Sequence, residues 1–394
     1  MPAIIHKLEM GKKSRYIIIA GDYHAYGSFG KFLKENPTHQ VFSDEIKNII
    51  RQSRYSVFNL EDPVSDTKYR INKYGPHGVA PIQSLAPIKD AGFNLATFAT
   101  NHTLDAGEKG ILDTVKHCKS INLKVVGAGL NHEEARKIIF ENIDEIKVAF
   151  LNFTREEFNI AKKNQGGANP LNIIDNTKDI VFAKQNADKV IVIVHEGLDV
   201  YPVPYPDLVK QMRFYAEMGA DAVILHHSRL ISGYEEHNGT PIFYGIGNLL
   251  HLSKNKNEHT GIMLKLIIGD SKNISFEIIP LKFDPSEKIV TLAEPLLETK
   301  IFNQIQEASK IIRSKKLLDE EWVKYVKKKE TLYLSILSGY PILFYRIVKK
   351  LKLERFYKKL LTLNKKKLKA RLNLVRCQAH REALVSVLEK NIAE

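Results

Sequence analysis

The chain of 394 residues has only two cysteines, Cys118 and Cys377, so no disulfide framework holds it together and both thiols suit a reducing compartment. No stretch approaches the roughly 18 uninterrupted apolar residues that a membrane-spanning helix needs. Residues 1–13 lack the apolar segment of a signal peptide. Together these absences predict a cytoplasmic location. No internal repeat is visible, which argues against repeat arrays. The stacking-aromatic motifs of the usual RNA-binding modules are missing as well, so no nucleic-acid partner is expected.

What the chain has in excess is positive charge, unevenly spread. Residues 300–394 hold 24 Lys and Arg against 9 Asp and Glu, a net +15. Residues 1–299 hold 35 against 36, a net −1, so the tail carries the whole formal +14. Such a split marks a separate surface role for the basic part. The expected division is a domain over residues 1–298 and a basic helical region over 299–394.

Apolar runs that read as buried strands alternate with helical patterns as far as residue 250. The strands are Tyr16–Ala20, Ser56–Pro63, Phe93–Ala99, Lys124–Gly129, Ile146–Phe153, Val190–Val194, Ala222–Leu225 and Pro241–Tyr244. Helical patterns fall at 43–52, 82–91, 110–120, 131–137, 180–187 and 206–218, with loops expected over 64–83 and 154–175. Two alternating runs, 261–269 and 274–281, then follow as antiparallel strands. The pattern predicts an α/β domain with a mixed sheet or two packed sheets.

Six strand ends carry residues that bind metals or phosphate. They are Asp22 and His24, Glu61, Asn101 and His102, His195, His226 and His227, and Asn248. An isolated Asn-His pair reads as a polar turn before a helix. Six loaded ends, each directly after an apolar run, point instead to one shared site, because ligands bind at the carboxyl ends of strands in α/β folds. Carboxylates, an amide and imidazoles together suit Mn, Zn or Fe rather than a thiolate-bound metal. A bridging carboxylate can hold two such ions about 3.5–4 Å apart, and activated water between them attacks phosphorus.

In this order, Gly21-Asp22, Asn59-Leu60-Glu61, Asn101-His102-Thr103-Leu104-Asp105-Ala106-Gly107, Val126-Gly127-Ala128-Gly129, His195-Glu196-Gly197, His226-His227 and Tyr244-Gly245-Ile246-Gly247-Asn248 resemble the CapA-type poly-γ-glutamate and capsule biosynthesis family. The resemblance covers roughly residues 15–255. It implies a four-layer α-β-β-α sandwich similar to the calcineurin-like metallophosphoesterases. It also implies a pair of divalent metal ions on Asp22, Glu61, Asn101, His195 and His226, with His24 added by the Asp-x-His spacing. His102 would be the general acid. Asp105 would either orient His102 or cap the following helix. His227 and Asn248 would contact substrate. The family usually has Gly-His-His-Pro-His where this chain has Leu225-His226-His227-Ser228-Arg229. Arg229 therefore stands in for a histidine, where it either weakens one metal position or grips phosphate directly.

The resemblance implies a bacterial capsule protein that hydrolyses a phosphate ester on a phosphorylated or acidic polymer-related substrate, beside other capsule assembly proteins. A non-catalytic accessory subunit that binds an acidic polymer is the alternative, with a membrane-tethering adaptor as a third reading. Residues 330–372 interleave apolar clusters with Lys349-Lys350, Lys358-Lys359 and Lys365-Lys366-Lys367. That pattern fits either a helix lying on the anionic inner face of a membrane or a solvated helical appendage.

Overall fold

The run Tyr16-Ile17-Ile18-Ile19-Ala20 alternates between two apolar environments, and that alternation sets the layers. Ile17 and Ile19 face one buried cluster, Ile18 and Ala20 another. The computed structural model describes residues 15–393, apart from 270 and 272. Its strands, in chain order, begin with β1 (Tyr16–His24), β2 (Tyr55–Leu60), β3 (Leu95–Thr97), β4 (Lys124–Val126) and the two-residue β5 (Ala128–Gly129). They continue with β6 (Ile139–Ile143), β7 (Ile146–Thr154), the two-residue β8 (Gly167–Ala168), β9 (Lys189–His195), β10 (Ala222–His226), β11 (Tyr234–His237) and β12 (Thr240–Phe243). Last come β13 (Asn248–His251), β14 (Thr260–Ile267), β15 (Ser275–Asp284) and β16 (Ile289–Leu292).

One sheet runs β16-β15-β14-β1-β2-β3-β4, with β13 also paired to β1. The other runs β11-β12-β10-β9-β7-β6. Between them lie Ile17, Ile19, Val57, Leu95, Phe150, Ile191, Ile193, Ile224 and Leu264. The outer face of the first sheet is covered by α1 (Gly27–Glu35), α2 (Asp44–Gln52), α3 (Leu85–Ala91) and α4 (Gly107–Ser120), through Phe29, Leu33, Ile46, Ile50, Ile88 and Ile111. Beyond the short α5 (His132–Ala135), α6 (Ile173–Asn186) and α7 (Pro206–Glu217) cover the second sheet through Ile180, Leu208, Val209 and Met212. The result is the four-layer α-β-β-α sandwich.

Several elements depart from the sequence pattern. The helix expected over 180–187 starts at Ile173, inside the expected loop. Asn172 caps it by accepting from the amides of Ile174 and Asp175. Helix α1 and strands β6, β11 and β13 carried no usable pattern. Strand β13, for example, has only Leu249 and Leu250 as an apolar signal.

The chain forms two compact units that part after Leu318, rather than at 298/299. The reason is α8 (Pro295–Arg313), whose Ile301 and Ile305 are buried in the inter-sheet core. The second unit is helical: after Lys315–Leu337, which starts in the first unit, come Ile342–Lys350, Glu354–Thr362, Lys365–Arg376 and Gln378–Ala393. Its small core is Val348, Tyr357 and Leu361, with Leu334 against it. Among the described residues no helix is long and apolar enough to cross a membrane.

Candidate metal centre

The site begins where β1 changes partner. Tyr16–Ala20 pairs antiparallel with β14, whereas Asp22–His24 pairs parallel with β13. Gly21 sits at the fork because a Cβ there would lie 2.1 Å from the Gly247 carbonyl oxygen. Backbone cannot yield that much, so Gly21→Ala is expected to cost about 3 kcal/mol or more of stability, read as a lower urea midpoint. A midpoint within error of the parent would refute the fork.

The fork turns Asp22 inward. Its Oδ1 accepts from Asn59 Nδ2 (2.9 Å) and faces His226 Nδ1 (2.9 Å), and its Oδ2 accepts from the His227 amide (3.2 Å). Asn59, the second-to-last residue of β2, is the organiser here. Its Nδ2 also donates to Glu61 Oε2 (3.0 Å) and lies 3.3 Å from His195 Nδ1, while its Oδ1 accepts from Thr97 Oγ1 (3.0 Å).

Residues 98–106 form a loop tied down by its own hydroxyls. Thr103 Oγ1 donates to the Phe98 carbonyl (2.6 Å) and Thr100 Oγ1 to the Glu61 carbonyl (2.8 Å). From β7 of the other sheet, Asn152 Oδ1 accepts from the Ala99 amide (2.6 Å), and from the loop after β7 Asn159 Nδ2 donates to the Thr100 carbonyl (2.7 Å). Gly127, at φ +95°, leaves room for Asn152, since a Cβ there would lie 2.2 Å from Asn152 Oδ1. The loop thereby presents Asn101 and His102 to the space between the sheets.

Asp105 does not cap the next helix, which starts at Gly107 after Ala106 without a side-chain cap. Its Oδ2 lies 2.6 Å from His102 Nδ1 and accepts from the Gly78 amide (2.7 Å), and Lys73 pairs with Oδ1. Of the two sequence alternatives, the geometry is that of an orienting carboxylate. His102 Nε2 is thereby turned toward Glu61 Oε1, 4.0 Å away. Burial opposes a charge on His102, but Asp105, Glu61 and Asp62 outweigh it and raise its pKa.

The chemistry converges on His195, the last residue of β9, paired in register with His226 on β10. Its Nε2 lies 3.0 Å from Asn101 Oδ1, 3.2 Å from His227 Nδ1 and 3.4 Å from Glu61 Oε1. Glu61, His195 and His227 form the one His/Cys/Asp/Glu group among the described residues that could hold a metal ion. Asn101 Oδ1, Glu61 Oε1 and His227 Nδ1 gather about His195 Nε2 as a mixed nitrogen and oxygen set of the kind that suits a divalent cation. Burial alone would raise the Glu61 pKa, yet His195, His102 and His24 hold it well below the usual carboxylate range. Burial, then the positive charge of Arg155, whose Nη1 lies 2.8 Å from His227 Nε2, push the His227 pKa well below normal. That favours the neutral ring, with Nε2 accepting from Arg155 and the proton on Nδ1, which a metal ion bound there would displace.

Not every expected residue joins this group. Asn101, Glu61 and His195 do, and His227, expected to touch substrate, lies in the metal group. His226, expected as a ligand, lies outside that group, with its Nδ1 2.9 Å from Oδ1 of Asp22, also expected as a ligand. His24 faces Asp62 Oδ1 (2.9 Å), in a neighbouring cluster with His251 and His102 at ring-centroid distances of 4.6 and 5.6 Å. Asn248 Nδ2 donates to the carbonyls of Arg229 (3.3 Å) and Glu258 (2.8 Å), so this amide braces the Arg229 turn. Sequence reading missed Asn59, Asp62, Lys73, Asn152, Arg155, His251 and Glu258. Only Asn59 and Asp62, flanking Glu61, had a signal in their position.

The model of the bacterial capsule synthesis protein family, PGA_cap, matches residues 16–252, from β1 to the end of the site-bearing segment. The chain belongs to the PGA_cap family. The capsule biosynthesis protein CapA of Bacillus anthracis is 30% identical over 279 residues, covering 68% of this chain and 67% of that protein. The PGA biosynthesis protein CapA of Bacillus subtilis is 32% identical over 224 residues, covering 55% and 59%. This PGA_cap chain thus matches about two thirds or less of those relatives' lengths. Among solved structures, a calcineurin-like phosphoesterase of Bacillus subtilis, YfkN, aligns with a TM-score of 0.35 and 12% identity, over 76% of this chain and 99% of its own.

Proposed function

We propose that this protein hydrolyses a phosphate ester in capsule or poly-γ-glutamate biosynthesis, at a divalent-metal centre formed by Glu61, His195 and His227 with Asn101. The observation that carries the reading is the convergence of Asn101 Oδ1, Glu61 Oε1 and His227 Nδ1 on His195 Nε2, with His102 aimed at the same carboxylate. When bound, a divalent ion supplies Lewis acidity toward a phosphoryl oxygen. Mn, Zn and Fe all suit this mixed nitrogen and oxygen set. His102 then donates its Nε2 proton to the departing oxygen, and Asp105 keeps the ring turned that way. Metal analysis of the purified protein, followed by a screen of metal-loaded protein against phosphate esters, tests it. No bound Mn, Zn or Fe and no hydrolysis would refute it.

One observation favours a second, accessory reading, in which the protein binds an acidic polymer. A cavity of about 430 Å³ is lined by Lys31, Lys34, Lys68 and Arg70, with Asp66 as its single acidic residue. It borders the site through the chain. Gly27 follows His24 by three residues, Ser65 follows Asp62 by three, and Val79 adjoins Gly78, which packs on Asp62 and His102.

The basic unit supports a peripheral membrane position next to capsule assembly proteins. Leu343 and Phe356, on two short helices, and Leu351 and Leu363, which close them, are more than half exposed among the lysines, as surface-lying helices require. Each basic residue near an anionic bilayer adds roughly 1 kcal/mol. Replacing Lys365, Lys366 and Lys367 with Gln is therefore expected to weaken vesicle binding about 100-fold at low salt. Flotation with phosphatidylserine-containing vesicles checks it, and equal flotation of parent and variant would count against the membrane role.

A further inference from the structure

Position 229 holds a permanent cation where the strand ends converge. Its backbone adopts φ +59°, and His227, two residues earlier, φ +85°, left-handed conformations that non-glycine residues adopt rarely. The Arg229 carbonyl is fixed by Asn248 Nδ2. Its guanidinium lies 3.9 Å from the buried Glu258 carboxylate and 3.3 Å from Asp199. Its charge also acts on Glu61 and Asp22.

Among the described residues the other His, Asp and Glu side chains do not gather into a second group able to hold a metal ion. Asp22 Oδ1 meets two hydrogen-bond partners, Asn59 Nδ2 and His226 Nδ1, which uses its lone pairs, and Oδ2 takes the His227 amide. His24 Nδ1 lies 2.9 Å from Asp62 Oδ1, a pair that stands apart from the metal group and makes no hydrogen bond. An arginine cannot shed its proton to become a ligand, and its charge opposes a second dication nearby.

We propose that this centre takes a single divalent cation, on Glu61, His195 and His227, and that the Arg229 guanidinium supplies the second positive charge by gripping the substrate's phosphate. The inference rests on the hydrolase reading above and names how that site is charged. The Asp199 side chain is 57% exposed, so its pair with Arg229 is weak and yields to a phosphate dianion, which offers the guanidinium fork two oxygens. Asn248 holds the Arg229 backbone, and the Glu258 carboxylate stays beside the guanidinium, while the outer partner exchanges.

The test counts ions and then weighs phosphate. Equilibrium dialysis of the full chain against Mn²⁺, with metal measured by mass spectrometry, should give one ion per chain, lost in Glu61→Gln. Two ions that both depend on Glu61 would overturn the single-cation proposal while leaving the hydrolase reading intact. No ion would overturn both. Inorganic phosphate titrated calorimetrically into Mn²⁺-loaded protein should bind roughly tenfold or more weakly to Arg229→Ala, with the ion count still one. Arg229→Lys keeps the charge but not the fork, and should lose severalfold. Unchanged phosphate affinity in either variant would overturn the role of Arg229. Circular dichroism verifies folding, and should the alanine variant not fold, the lysine variant decides.

Discussion

Glu61→Gln is expected to lower Mn²⁺ or Zn²⁺ affinity at least about 100-fold and to abolish phosphoester hydrolysis, with the fold retained. Substitutions that merely support a metal ligand already cost about 10–100-fold, and Glu61 is the only carboxylate in the group. Glutamine keeps the shape and still offers an oxygen to Asn59, but it removes the negative charge that offsets a dication in a buried place. The carboxylate is 5% exposed, so water cannot take over that role. Calorimetric metal titration and circular dichroism on the same samples check both halves. Undiminished metal affinity would remove Glu61 from the centre, and with it the chemistry assigned there.

His102→Ala is the second large effect, and it should depend on the leaving group. A general acid contributes about 10²–10⁴ in rate, and most where the departing oxygen is too basic to leave unprotonated. Hydrolysis of an alkyl phosphate should therefore fall by about that factor. Hydrolysis of p-nitrophenyl phosphate, whose leaving group departs readily as an anion, should fall far less. An equal loss on both substrates would mean that His102 holds the loop rather than donating a proton. Asp105→Asn should give the same pattern with a smaller loss, because it disturbs the orientation of the ring and not its presence. Lys73 and the Gly78 amide hold Asp105 from the other side, so this carboxylate is fixed before any substrate arrives.

Much of the scaffold was legible because its strands are almost wholly apolar. Val190–Val194 can only be a buried strand, and its end delivers His195 without ambiguity. The same logic led to Asp22, Glu61 and Asn101. It failed for β13 and β6, which are short or mixed in character and owe their existence to pairing with β1 and β7. It failed again at α6, whose first turn was hidden behind loop-like residues. Strand and helix signals are local, whereas pairing is not.

The sequence by itself determined the family, the alternation of strands and helices, the basic tail and the set of strand ends that carry polar groups. Composition and order suffice for these, because each is a property of a short stretch or of stretches in sequence. Only the tertiary structure decided which atoms meet. His226 and His227 are neighbours, and nothing in their order says that one turns to Asp22 and the other to Glu61 and His195. That division follows from the backbone at His227, where a left-handed residue reverses the chain at the end of β10. Asp105 likewise had two readings in the sequence. The start of α4 at Gly107 and the approach of Lys73 and Gly78, some 30 residues earlier, chose between them. Contacts at that separation are fixed by how the layers pack.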